Sequence, residues 1–282
     1  MALTPFQLLF DDADSAQQAV ALPAALQAVY GGDWQLPPSL YVYSNFALSR
    51  DGRISYNQAG HMGGGDISGF CQHDQWLMGL LRARADAVIM GDTTLRVEPE
   101  HLWTSDYIFP EEAAQWAALR QQEQRQPYPL AVFLSLTGKI DPSVKVLQHP
   151  EMRVLIATTS AGLAAAQGLQ DCPAQPRSVA LGEEQVDIPA LLTLLEQEYG
   201  VRSLLCEGGP GAYASMLAAQ CIHEEFLTLC PRIVGSAAAS PRPGLLEGAA
   251  FDAVNPPESH PVSLRRAGHH LFLRSRLHYP PR

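Results

Sequence analysis

Apolar residues recur in two rhythms along this chain. Short apolar runs at 40–48, 87–90, 130–134, 154–157, 203–206 and 225–230 each end at a glycine, a proline or a polar residue, as buried β-strands do. Between them the apolar spacing becomes helical. Trp76, Leu77, Leu80 and Leu81 share one face of a helix predicted over 73–84, and 188–199 and 211–219 repeat the pattern. Residues 111–126, rich in Gln, Ala and Arg, predict a surface helix, and 17–30 a short one. Strands alternating with helices predict an α/β fold with a mostly parallel sheet covered on both faces.

The tail at 262–279 departs from that rule. Leu271, Leu273 and Leu277 alternate with charged residues, which predicts late antiparallel edge strands. The proline-rich stretch 237–261 reads as a long surface loop. Gly31-Gly32 and Pro37-Pro38 mark a linker, so 1–39 is expected to be an N-terminal extension and 40–282 a single domain.

Composition narrows the function classes. With 282 residues, 46% apolar and 17% charged, the chain can bury a sizeable core. A formal net charge of -10 without a lysine- or arginine-rich run argues against nucleic-acid or anionic-membrane partners, and leaves room for a local phosphate pocket. No run is apolar enough to span a bilayer and no basic-then-apolar leader opens the chain, so a cytoplasmic protein is expected. Five cysteines, none in C-x-x-C spacing, read as reduced thiols. Nine histidines fall in no metal-ligand pattern, so no metal is expected. His149-Pro-Glu151 has no P-C-x-x-C after it, and G-x-S-x-G is missing, which disfavours a zinc deaminase and a serine hydrolase.

The candidate chemistry lies at three strand-to-turn junctions, where α/β proteins place ligands. These are Asn45-Phe-Ala-Leu-Ser-Arg-Asp-Gly-Arg-Ile-Ser55, Val88-Ile-Met-Gly-Asp-Thr-Thr94 and Glu207-Gly-Gly-Pro-Gly211. Glycines before a helix let a backbone approach a phosphate, and the helix start offers free N–H groups. The same residues also suit a plain strand-to-helix turn, and no G-x-G-x-x-G fingerprint is present. Asp51-Gly52 suits any tight turn, and Gly60-His-Met-Gly-Gly-Gly-Asp-Ile-Ser68 suits either an anion-binding nest or a hairpin tip.

Taken together, from about residue 41 onward, these segments resemble the pyrimidine reductases of riboflavin biosynthesis, a dihydrofolate-reductase-like family. The resemblance implies an NADPH-dependent homodimer that reduces the ribosyl group of a ribosylaminopyrimidine phosphate to ribityl. It places Asn45, Ala47, Gly91, Thr94, Glu98, Ser135, Thr158, Gly208, Gly209, Pro210 and Gly211 against the cofactor, with Ser135 near its 2′-phosphate. Ser68, Arg82 and Leu102 fall at substrate positions, Arg82 at an arginine that contacts the substrate phosphate. Asp51 and Glu207 are the candidates for orienting substrate hydroxyls or relaying a proton. The chain departs from the pattern at Arg50, Thr93 and Glu98, which stand where the family has leucine, glycine and aspartate. Two other expectations fit the same residues: a same-fold reductase of another heterocycle, carbonyl or imine, and a nucleotide-binding protein without catalysis.

Overall fold

A computed structural model describes residues 3–13 and 19–280. Its strands are β1 (Gln7–Asp11), β2 (Tyr41–Leu48), β3 (Ala87–Gly91), β4 (Leu130–Ser135), β5 (Val154–Thr158), β6 (Arg177–Ala180), β7 (Ser203–Cys206), β8 (Glu224–Leu229), β9 (Glu258–Ala267) and β10 (His270–His278). They form one ten-stranded sheet in the order β1-β9-β10-β8-β2-β7-β3-β4-β5-β6. From β8 to β6 all neighbours are parallel, whereas β10, β9 and β1 add on antiparallel. The late antiparallel strands expected from the tail are therefore present, beginning at Glu258 inside the expected loop.

Strand alternation divides the core between the two faces. Val88, Met90, Ala131, Phe133, Val154 and Ile156 join one cluster, with the helix Gln72–Ala83 packed over it. Ala87, Ile89, Leu130, Val132, Leu155 and Ala157 join the other, under the helices Ile188–Tyr199 and Pro210–Ala218. A parallel strand flanked by helices buries both faces, so these runs are apolar at every position rather than at every second one.

Two expectations change. The helix expected at 111–126 is a short 3₁₀ turn, Pro110–Glu112, followed by Ala113–Gln122, and its inner face is deeply buried. Trp116 packs where Gly79 leaves no side chain, since a Cβ there would lie 3.2 Å from the indole. Arg120 Nη1 donates to the carbonyls of Arg82, Ala83 and Ala85 at 2.9–3.1 Å, satisfying the end of the helix before it.

The described residues of the N-terminal segment, 3–13 and 19–39, contribute to the sheet and core. Of the helix expected at 17–30, Ala24–Tyr30 is helical, while residues 17 and 18 lie outside the described residues. β1 pairs with β9, and Phe6, Leu22, Leu26, Tyr30, Trp34 and Leu36 are core residues. Trp34 Nε1 donates to Glu224 Oε2 at 2.9 Å, and Arg274 Nε donates to Glu224 Oε1 at 2.6 Å. Glu224 thus has a partner for each oxygen, which is what permits a carboxylate to be fully buried.

Candidate active site

The three junctions converge because β2, β7 and β3 are adjacent parallel strands whose C-terminal ends lie together. Ser44 is in register with Cys206, and Ile89 with Cys206 on the other side, so the chain leaves β7 at Glu207, between β3, which ends two residues past Ile89 at Gly91, and Asn45 of β2, which continues to Leu48 against β8. Glu207 N still donates to Ile89 O at 3.1 Å before its chain turns away. Two turns pack directly at this point. A Cβ on Gly208 would lie 2.6 Å from Met90 Cα and 3.0 Å from Gly91 N, so no other residue fits there.

Gly209 and Gly211 are different, because a Cβ on either meets nothing within 4 Å. The helix Pro210–Ala218 therefore begins on open space, with Gly209 as its N-cap and proline at its first position. Free N–H groups at such an end suit a pyrophosphate. The fit to a dinucleotide rests on that open start and on two buried acceptors without partners nearby, Asn45 Oδ1 and Glu207 Oε1.

Glu207 is the chemical centre of the site. Arg82 Nε donates to its Oε2 at 2.9 Å, and the side chains are only 3% and 6% exposed. Burial raises its pKa above the usual carboxylate range, aided by Glu98 and opposed by Arg82 and the Asn45 amide. The result is a carboxyl group inclined to keep a proton, with one oxygen anchored and the other unpartnered.

Glu98 and His101 extend this cluster. Glu98 Oε2 lies 3.4 Å from His101 Nδ1, and its Oε1 fills the space a side chain on Gly63 would need. His101 packs against Trp103 and Tyr107, and burial with Arg82 and Lys145 nearby lowers its pKa to about 2, so it is neutral. The sequence offered no signal for His101, since a lone histidine in a polar segment has no motif around it.

Asp51 is placed differently from Glu207. It sits on the exposed turn after β2, accepting from Val234 N at 2.8 Å, Gly235 N at 2.6 Å and Ser49 Oγ at 2.9 Å. Those donors hold its acidity constant down at about 2, Val234 N contributing most. It is an ionised staple between two loops.

The other expected residues divide between the crevice and the interior. Gly91 and Thr94 belong to the turn and helix that follow β3 (Asp92–Val97), and Ala47 lies under the helix Gly64–Ser68. Leu102 O accepts from Arg82 Nη1. Ser68 is buried and turned inward toward Gly65 O and Asp74. Arg82 is as buried as Glu207, with its Nε and Nη1 donating to protein groups. Ser135 Oγ donates to Asp92 Oδ2 at 2.7 Å and accepts from Gly138 N, which leaves it no proton for a phosphate. Thr158 is wholly buried, its Oγ1 beneath Gly162, and the structure does not bring it to the crevice.

A cavity of about 500 Å³ lies elsewhere, at the N-terminal ends of the parallel strands between Asp33, Tyr41, His223 and Arg274. Asp33 there is engaged by Leu22 N and Gln35 Nε2, and Arg274 by Glu224. Volume alone does not make that cavity the reactive site, and the unpartnered acceptors point to the opposite end of the sheet. Among the described residues no group of three or more His, Cys, Asp or Glu side chains is placed to hold a metal ion. No helix among them is long and apolar enough to cross a membrane.

Strand order, antiparallel late strands and a strand-end crevice define a dihydrofolate-reductase-like α/β protein. Residues 40–269 match the RibD C-terminal domain, and the chain belongs to that family. A 2,5-diamino-6-ribosylamino-4(3H)-pyrimidinone 5′-phosphate reductase of Archaeoglobus fulgidus is 27% identical over 195 residues, 69% of this chain and 82% of that protein. A pyrimidine reductase-like protein of Corynebacterium diphtheriae superimposes with a TM-score of 0.68 at 21% identity, covering 90% of this chain and 98% of that one. The riboflavin biosynthesis reductase of Saccharomyces cerevisiae gives 0.56 at 15% identity, covering 85% and 90%.

Proposed function

We propose that this protein is an NADPH-dependent reductase of riboflavin biosynthesis that converts the ribosyl group of a ribosylaminopyrimidine phosphate to ribityl. The observation that carries the proposal is the Glu207 carboxyl group: buried, inclined to hold a proton, and unpartnered at Oε1 beside the open helix start. Family membership and the archaeal relative support the reaction class.

The bound nicotinamide would supply hydride to the sugar carbon C1′. Backbone N–H groups at Gly209 to Gly211 would hold the pyrophosphate, and Asn45 and Ala47 would flank the nicotinamide end. Glu207 keeps a proton on Oε1 and delivers it to the sugar oxygen that becomes a hydroxyl, while Arg82 holds Oε2 still. Asp51, ionised and stapled to Val234 and Gly235, shapes the loop and carries no proton.

Preference for NADPH over NADH rests on charge rather than on Ser135. Arg96 and Lys139 line a small cavity of about 210 Å³ together with Asp92, which pairs with Arg96 at 3.4 Å, and Asp141, and Lys139 is the cation there that would meet a 2′-phosphate. Five free thiols agree with a cytoplasmic enzyme, and a homodimer is the proposed assembly.

Fluorescence titration with NADPH and NADH tests the cofactor half, with tighter NADPH binding expected. Turnover of the phosphorylated ribosylaminopyrimidine tests the rest. Binding of neither dinucleotide would overturn the reading.

A further inference from the structure

We propose that Glu225 is a positioning residue: through Tyr213 it fixes the first turn of the helix Pro210–Ala218, whose free N–H groups meet the pyrophosphate of a dinucleotide. That ligand comes from the reductase reading of the site, and the positioning stands on hydrogen bonds and sheet register.

The helix start has little of its own to hold it. Gly209 and Gly211 carry no side chain, Pro210 has no N–H, and no side chain caps the N-terminus. Glycine has the most backbone freedom to lose, so such a turn is loose unless something outside it holds it. Tyr213 is the first residue of the helix able to do so. Its N donates to Gly209 O at 3.2 Å, closing the first turn, and its hydroxyl donates to Glu225 Oε2 on β8. The ring is buried and meets Phe46 of β2 edge-on, with centroids 4.9 Å apart. Glu225 Oε1 accepts from Ser259 Oγ of β9 at 3.2 Å, so the carboxyl group is held at both oxygens.

Sheet register places Glu225 within a polar row. Cys206, Ser44, Glu225 and Ser275 stand opposite one another on the adjacent strands β7, β2, β8 and β10, and all are buried. The same face is otherwise built from Val42, Phe46, Leu204 and Leu227. Asn45 and Glu207 directly follow Ser44 and Cys206 in the chain, so the row lies one residue from the crevice. A carboxyl group here is costly. Burial pushes Glu225 above the usual carboxylate range, opposed by the Tyr213 and Ser259 hydroxyls. An apolar side chain would fill the space without that desolvation, but would leave the Tyr213 hydroxyl without an acceptor and the helix start without its anchor.

Two near-isosteric variants, Y213F and E225Q, test the role. Y279F is the control for loss of a tyrosine hydroxyl bond, because Tyr279 donates to Ile222 O at 2.8 Å at the opposite ends of the strands. Fluorescence titration gives the NADPH Kd, and thermal denaturation the Tm. Kd rises about tenfold in Y213F and in E225Q, the size expected for a hydrogen bond to a charged group. The double variant binds no more weakly than either single one, because both changes remove the same bond. KM for NADPH rises in step, while KM for the pyrimidine substrate keeps its wild-type value. In Y279F only Tm falls. Wild-type NADPH affinity in Y213F, with a lowered Tm, reduces the pair to a stabilising contact and overturns the proposal. Tighter NADPH binding in E225Q also overturns it, since Glu225 would then act on the pyrophosphate by charge. Y213F carries the comparison if E225Q fails to fold.

A second arm needs no ligand. Amide exchange at Tyr213 N reports opening of the bond to Gly209 O, and its rate rises about tenfold in E225Q and not in Y279F. An unchanged rate in E225Q overturns the positioning role. If the wild-type protein binds neither NADPH nor NADH, the reductase reading fails, and the exchange rate still decides whether Glu225 holds the turn.

Discussion

Arg82 and Glu207, 125 residues apart in the chain, meet at 2.9 Å at the end of the sheet, both almost fully buried. Neither neighbourhood in the sequence announces the pair. The helix Gln72–Ala83 and strand β7 bring them together, and the contact fixes which Glu207 oxygen faces the crevice.

Substitution of Glu207 by glutamine is expected to lower kcat by about 10²- to 10⁴-fold while leaving cofactor affinity within a few-fold. The wild-type profile of kcat against pH carries the same information. Because burial raises the pKa of Glu207, activity holds while the group is protonated and falls as pH rises through that raised value. The alkaline limb disappears in E207Q. An identical limb in both proteins would remove Glu207 from the proton-transfer role.

Gly208 and Gly209 are neighbours with opposite expected phenotypes. Gly209 has a negative φ of -54° and open space around a built Cβ, so G209V folds normally and loses dinucleotide binding. Gly208 has Met90 Cα at 2.6 Å, so G208A is destabilised by about 1–3 kcal/mol. Thermal denaturation and a fluorescence titration on the two variants separate the effects. Normal dinucleotide affinity in G209V would exclude the helix start as the phosphate site.

Asp51→Asn is expected to loosen the loop at 234–235 with little change in kcat. The pKa of Asp51 falls from 3.8 to about 2 in the folded protein. Its stabilising contribution is therefore complete above about pH 4 and lost as pH falls through about 2. Acid denaturation curves of wild type and D51N should differ above this window and converge below it. A hundredfold loss of kcat in D51N would give the aspartate a chemical role after all.

Trp34→Phe removes the donor to Glu224 Oε2 and leaves part of a buried carboxylate unsatisfied. A loss of about 1–3 kcal/mol follows, read as a lower Tm. Removing residues 1–39 takes away β1 and six core side chains, and the remaining protein is expected to be insoluble or unfolded. A stable, soluble truncated protein would show that the domain from residue 40 is self-sufficient.

The sequence by itself determined the strands, the helices and the turns that open the site. Runs such as 87–90 and 154–157 are apolar at every position because both faces of a parallel strand are covered, so their place in the sheet interior was legible locally. Gly208 likewise marks a close backbone approach, which no other residue tolerates there.

The tertiary structure decided what long-range packing controls. The register of β2 with β7 and of β3 with β7 brought Asn45, Glu207 and the end of β3 at Gly91 to one region of the sheet. Trp116 against Gly79 turned an apparently surface helix inward, and Trp34 against Glu224 drew the N-terminal segment into the core. Charge followed the same rule. Asp51 and Glu207 are both acids after strands, yet three hydrogen-bond donors keep one ionised while desolvation drives the other toward its protonated form. Acidity depends on neighbours distant in sequence, and only the folded chain supplies them.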